Sequence, residues 1–245
     1  MPLNWKSYRP ALVRAVFRIR LLLGVIGSAV VLFHPDTPLP DEWNPITPLE
    51  VSAPVTALTG WKLRHAVASN SQCQAVLMQA RVDITQMLPL EDSVDCTIRP
   101  RVALRMVGQA RLRTFETRCQ TALLMAMWER HGLQAAALRH MGATVSEIRH
   151  YDSYNCRAMR TSAGESTRMS THATADALDV SGFVMSNGET VDLLRDWPGS
   201  GPSAAFLRDA FQAACLWFPV ALGPEFNALH ADHFHLQTKG WGLCR

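Results

Sequence analysis

The chain has 245 residues, a formal net charge of +3 and 48% hydrophobic residues. That length allows one large domain or two small ones, and the apolar fraction suffices for a packed core. The small positive charge sits largely at the N-terminus, and no Lys/Arg run interleaved with aromatics follows it, so no nucleic acid is expected as a partner.

Residues 1–20 carry Lys6, Arg9, Arg14, Arg18 and Arg20 and no acid. Residues 21–33 (LLLGVIGSAVVLF) are an apolar run. Cations before an apolar stretch make the first two parts of a secretory signal. The run is shorter than the roughly 20 residues of a full span. Gly27-Ser28-Ala29 lies inside it and Phe33-His34-Pro35 follows it, which is poor material for cleavage. A signal anchor with a cytoplasmic N-terminus is therefore favoured over a cleaved signal peptide for residues 1–34. Pro35, Pro38, Pro40, Pro45, Pro48 and Pro54 make residues 35–54 a stiff, extended tether. Residues 55–245 form the expected domain.

Helical spacing covers residues 70–87. Two short strands flank Arg99-Pro100-Arg101, at 94–98 and 102–106. The strongest helix runs over 118–140, with Gly132 in its middle costing about 1 kcal/mol relative to Ala. Residues 142–149 and 178–184 read as strands. Pro202-Ser203 opens another helix, with Ser203 as its cap and Phe206, Leu207, Ala210, Phe211 and Ala214 on one buried face. A final strand spans 232–236. This irregular mixture predicts an α+β fold.

The six cysteines, Cys73, Cys96, Cys119, Cys156, Cys215 and Cys244, contain no C-x-x-C pair. An even, scattered set in an exported domain predicts disulfides, and Cys215–Cys244 is the preferred pair among the alternatives.

Two segments carry the chemistry. Residues 170–179 (STHATADALD) and 230–235 (HADHFH) together offer His172, His230, His233 and His235, with Asp176, Asp179 and Asp232. These are zinc ligand types, and three protein ligands with one open position make a hydrolytic site. His172, Asp179 and His235 are the candidate triad. Asp179 alternates with Leu178 and Val180, which points it off the apolar face into a cleft. On a strand, Asp232 and Phe234 would face one way, His233 and His235 the other. Asp176 reads as a solvated loop acid.

The first segment resembles the Ser-x-His-x-x-Gly-x-Ala-x-Asp motif of zinc D-alanyl-D-alanine carboxypeptidases, dipeptidases and related peptidoglycan endopeptidases. Ser170, His172, Ala177 and Asp179 match, and Ala175 stands where that family has Gly. Asp232 stands three residues before His235, where most of that family has Glu; His233-Phe234-His235 is similar to the endopeptidase branch. Residues 43–245 resemble bacterial extensin-like proteins, through Trp43-Asn44-Pro45, Ser153-Tyr154-Asn155-Cys156-Arg157, Leu222-Gly223-Pro224, the two segments above and a closing Cys244-Arg245.

The resemblance implies a hedgehog-like fold, a small antiparallel sheet flanked by helices. It implies Zn2+ held by His172, Asp179 and His235, with Asp232 as general base and His233 as the alternative proton carrier or oxyanion donor. Arg157 and Ser170 would bind substrate, and His230 would lie behind the ligands. The implied activity is that of a zinc peptidase or amidase on peptidoglycan stem peptides, in a periplasmic domain anchored in the inner membrane. The other reading is a non-catalytic wall-binding or envelope-organising module.

Overall fold

A computed structural model describes residues 5–34, 37, 39–161 and 164–245, with side chains from residue 12 onward. Pro35 and Pro38 of the expected tether lie outside the described residues. The chain divides into two compact units, one of Glu50–Ala53 with Leu63–Arg245, the other of the remaining N-terminal residues to Lys62.

In the N-terminal unit, helix α1 (Trp5–Phe33) is longer than the apolar run suggested. Its Leu12–Phe33 segment has 22 residues with mean hydropathy 2.1 in its most apolar window, none of it buried. By length and composition this helix can cross a membrane. The proline-rich stretch is not uniformly extended. It forms a 3-10 turn at Asp41–Trp43. The buried Lys62 ammonium donates to Asp41 O at 2.6 Å and Thr47 Oγ1 at 2.8 Å. Burial lowers the Lys62 pKa against the pull of Asp41 and Glu42.

Helix α2 spans Thr59–Ala68 and α3 Asn70–Gln79. The helical spacing of residues 70–87 therefore holds only to Gln79. Ala80 and the left-handed Arg81 (φ 54°) turn the chain into strand β1 (Asp83–Met87). Then follow β2 (Leu90–Glu91), β3 (Thr97–Ile98), β4 (Arg101–Val107) and β5 (Ala110–Arg118). The sequence reading missed β5, whose apolar positions are interspersed with three arginines and one glutamate. Helices α4 (Cys119–Trp128) and α5 (Gln134–Met141) are joined by one π turn at Glu129–Leu133. The remaining elements are β6 (Val145–His150), β7 (Ala158–Thr161), β8 (Gly164–Met169), β9 (Ala177–Met185), β10 (Thr190–Asp192), α6 (Leu193–Asp196), α7 (Pro202–Trp217), β11 (Val220–Leu222), β12 (Phe234–Gln237) and β13 (Leu243–Cys244). Helix α7 is capped by Gly201, with Pro202 in the first turn, so Ser203 is not its cap.

Among the described residues, nine strands form one sheet in the order β1-β4-β5-β6-β9-β12-β11-β13, with β10 also on β9. Most pairs are antiparallel; β5–β6 and β11–β13 are parallel. The fold is α+β, with a sheet larger and more mixed than the small antiparallel one expected. Helix α4 is buried on all sides, as its run of Ala, Leu and Met allows. Trp128 anchors it, with its indole N–H on Ala210 O at 2.9 Å and its ring near Phe183 and Phe218.

Three disulfides close the second unit: Cys73–Cys119, Cys96–Cys156 and Cys215–Cys244. They tie α3 to α4, the segment after β2 to the one before β7, and α7 to β13. Each closed loop removes about 3–5 kcal/mol of denatured-chain entropy on a loop-closure account.

Gly132 sits where α4, the π turn and α7 pack. A Cβ there would lie 2.4 Å from the Ala213 Cβ. Gly132→Ala should therefore destabilise the domain by about 1–3 kcal/mol, although alanine is the better helix former. Urea denaturation checks the sign; a raised midpoint would contradict the close approach.

Candidate metal centre

Asp179 on β9 and His235 on β12 are direct antiparallel partners. Opposed residues share one face of a sheet with Cβ atoms about 5 Å apart. Their neighbours Phe234 and Leu236 are fully buried. His235 Nδ1 thus comes within 2.8 Å of Asp179 Oδ1.

His172 arrives from the 3-10 turn Thr171–Thr174 that leads into β9. Ser170 caps this turn, its hydroxyl accepting from the His172 N–H at 3.3 Å. The turn closes at Ala175, buried and left-handed (φ 49°, ψ 32°), a conformation costing about 1–2 kcal/mol for an L-residue. Its carbonyl accepts from the Thr121 hydroxyl at 3.0 Å, and the Thr117 and Ser153 hydroxyls lie 3.4 Å away.

One ligand atom each from His172, Asp179 and His235 lies within 4.8 Å of the others. His172 Nε2 is 3.2 Å from both His235 Nδ1 and Asp179 Oδ2. The far nitrogen of each ring is committed. His172 Nδ1 is 2.9 Å from the Ser153 carbonyl, which can only accept, so that nitrogen carries the hydrogen. His235 Nε2 is 2.9 Å from Gln237 Oε1. Gln237 is oriented in turn, donating through Nε2 to Lys239 O at 3.1 Å and accepting from Thr171 Oγ1 at 2.9 Å. In neutral rings, then, His172 Nε2 and His235 Nδ1 turn their lone pairs towards the carboxylate. Three acceptors this close require positive charge between them, and two imidazoles with one carboxylate suit zinc. Without an ion, protonation of the two rings supplies that charge: burial alone would raise the Asp179 pKa, but hydrogen bonds and charge from the imidazolium forms of His172 and His235 outweigh it and hold the carboxyl well below the usual range.

Asp232 and His233 precede β12 and do not obey its alternation. Their side chains meet instead: His233 Nδ1 is 2.8 Å from Asp232 Oδ1, and the Tyr151 hydroxyl donates to Asp232 Oδ2 at 3.1 Å. This frees His233 Nε2, which lies 3.5 Å from Asp179 Oδ1. Burial opposes ionisation of Asp232, but the bonds to His233 and Tyr151 leave its pKa lowered. His230 Nδ1 lies 2.8 Å from Asn227 Oδ1. Burial, then the charges of His235 and His233, lower its pKa to about 4, so it is neutral at pH 7. His230, His233 and His235 also bring ligand atoms within 4.8 Å of one another.

Arg157 stands at the entry to β7, beside the Cys96–Cys156 bridge, with Nη1 on Ala158 O at 3.2 Å. Among the described residues it has no carboxylate partner. Ser170 is 7% exposed, its hydroxyl engaged by the His172 amide.

Asp176 is not a solvated loop acid. It is 1% exposed and binds Arg118 Nη1 at 2.7 Å, Lys239 Nζ at 2.6 Å and Thr174 Oγ1 at 2.5 Å. Its place between Ala175 and Ala177, directly before an apolar strand, was the available cue. Gln237 also escaped the sequence reading, although period two from His235 puts it on the same face. Tyr151 had no comparable signal.

Fold and site together define a disulfide-closed α+β domain with a His-Asp-His cluster on one face of its sheet. A family model described as "Extensin-like protein C-terminus" matches residues 71–245, and the chain belongs to that family. Nothing matches among the curated proteins or the solved structures.

Asp176→Asn should cost on the order of 3 kcal/mol, because Arg118 and Lys239 would lose the buried charge between them. Chemical denaturation measures this; an unchanged midpoint would show that the buried pairs add nothing.

Proposed function

We propose that the chain is a zinc-dependent peptidase or amidase acting on peptidoglycan stem peptides in the cell envelope. The observation that carries this reading is the convergence of the His172, Asp179 and His235 acceptors, with each remote ring nitrogen tied to a protein oxygen. His172 Nε2, Asp179 and His235 Nδ1 would hold the ion. Zinc supplies a bound water of lowered pKa and a Lewis acid for the scissile carbonyl.

The remaining work falls to the chain's own residues. Asp232 holds His233 with its Nδ1–H inward, leaving Nε2 to take a proton from the attacking water and return it to the leaving amine. Both Asp232 oxygens are already engaged, which favours His233 over Asp232 as proton carrier. Tyr151 keeps the carboxylate in place. Arg157, with no carboxylate partner among the described residues, suits a stem-peptide carboxylate. Ser170 acts by shaping the His172 turn.

Location follows from the same chain. An apolar helix of spanning length and three disulfides suit an extracytoplasmic domain. Peptidoglycan as substrate makes that compartment the periplasm and the anchoring bilayer the inner membrane, with Arg14, Arg18 and Arg20 towards the cytoplasm.

Elemental analysis of the purified chain should find one zinc per molecule, lost in His172→Ala. Gln237→Leu should weaken zinc binding by about 10- to 100-fold, since His235 loses its orienting acceptor.

Muropeptide mass spectrometry after digestion of purified sacculi tests turnover. His233→Ala should lower it by about 10²–10⁴-fold with zinc retained, and Asp232→Ala by less. Full activity in His233→Ala would return the proton to Asp232. Unchanged muropeptides from a zinc-loaded chain that co-sediments with sacculi would replace the enzyme by a wall-binding module.

A further inference from the structure

The segment before β12 brings more imidazole to the cluster than the His172, Asp179 and His235 set uses. The 3-10 turn Ala228–His230 does not hold His230 behind the ligands, where the sequence resemblance put it. It sets the His230 ring beside the others, with centroids 5.2 Å from His233 and 5.6 Å from His235. Phe226 packs edge-on against its other side at 5.3 Å. One ligand atom each from His230, His233 and His235 lies within 4.8 Å of the others.

Hydrogen bonds fix which nitrogens those are. Asn227 Oδ1 accepts from the Leu229 N–H at 3.0 Å, so it is the amide oxygen that lies 2.8 Å from His230 Nδ1. His230 Nδ1 therefore carries the hydrogen. His233 Nδ1–H donates to Asp232 Oδ1, and His235 Nε2–H to Gln237 Oε1. The lone pairs left are on His230 Nε2, His233 Nε2 and His235 Nδ1. Ligating histidines commonly tie the far N–H to an oxygen in this way. An ion can reach the rings: the His233 and His235 side chains are 12% and 11% exposed, and His230 is partly exposed.

We propose that His230, His233 and His235 form a second, all-nitrogen metal seat that excludes occupation of the first. His235 Nδ1 belongs to both sets, and one lone pair serves one ion. With no carboxylate among its ligands, the second seat attracts a dication less strongly than the first and leaves zinc to His172, Asp179 and His235. Copper(II) stands above zinc in affinity for such ligands and imidazole suits it, so copper(II) is the ion the second seat takes. For the peptidase proposed above, on which this consequence alone rests, occupation is inhibitory. It removes both a zinc ligand and His233, the proton carrier.

Equilibrium dialysis and electron paramagnetic resonance of the full chain in detergent, with copper(II) as the probe, test the seat apart from turnover. His172→Ala should lose zinc yet bind one copper(II), with hyperfine splitting from three nitrogens. His172→Ala/His230→Ala should lose that copper. His230→Ala alone should keep zinc as the parent does, which shows that the change leaves the fold intact. Asn227→Leu in the His172→Ala background should weaken copper by about 10- to 100-fold, as His230 loses its orienting acceptor. The zinc-loaded parent should bind copper about tenfold more weakly than His172→Ala, because zinc already holds His235. Copper retained in the double variant, or a two-nitrogen spectrum in His172→Ala, would overturn the seat. Equal copper affinity in the zinc-loaded parent and His172→Ala would overturn the exclusion. A chain that binds copper through His230 but never zinc would instead sink the zinc-peptidase reading and leave this seat standing.

Discussion

The register between β9 and β12 is the constraint on which the site depends. Asp179 faces His235 because Phe234 and Leu236 occupy the core beneath them. Phe234 packs against Phe211 and Trp197, with ring centroids 5.1 and 5.7 Å apart. A slip of one residue would turn both apolar side chains out and both polar ones in. Exposing a Phe and a Leu forfeits about 3–6 kcal/mol, so hydrophobic burial on one face sets polar geometry on the other.

Two aspartates three positions apart show how context assigns chemistry. Asp176 is matched by Arg118 and Lys239 and by the Thr174 and Thr238 hydroxyls. Its charge is spent inside the fold. Asp179 has no Lys or Arg partner among the described residues; only imidazoles face it. Its charge remains available to whatever those rings hold.

Local pattern made much of this legible. The alternation around Asp179, the apolar face of α7, the Ala- and Leu-rich α4 and the even cysteine count all correspond to features of the structure. Cys215–Cys244 is present as preferred. Failures came where tertiary context overrides local pattern. Strand β5 exposes arginines at alternate positions and looks unlike a buried strand, yet it pairs with both β4 and β6. Residues 83–87 keep a helical rhythm but are recruited by β4. The Asp232–His233 contact arises because β12 begins only at Phe234, a boundary that alternation alone could not place. Tyr151 reaches Asp232 across 81 positions of sequence, and only the assembled sheet brings them together.

The left-handed Ala175 has a consequence for the order of assembly. Its carbonyl is gripped from Thr121 on α4, Thr117 on β5 and Ser153 before β7, all distant in sequence. Without that grip, alanine would leave its unfavourable conformation and the His172 turn would relax. The cluster is therefore a late product of folding: sheet and helices must dock before the three acceptors can meet. The unfolded chain carries the right residues with no site, so any ion these three groups hold could bind only once the domain had closed.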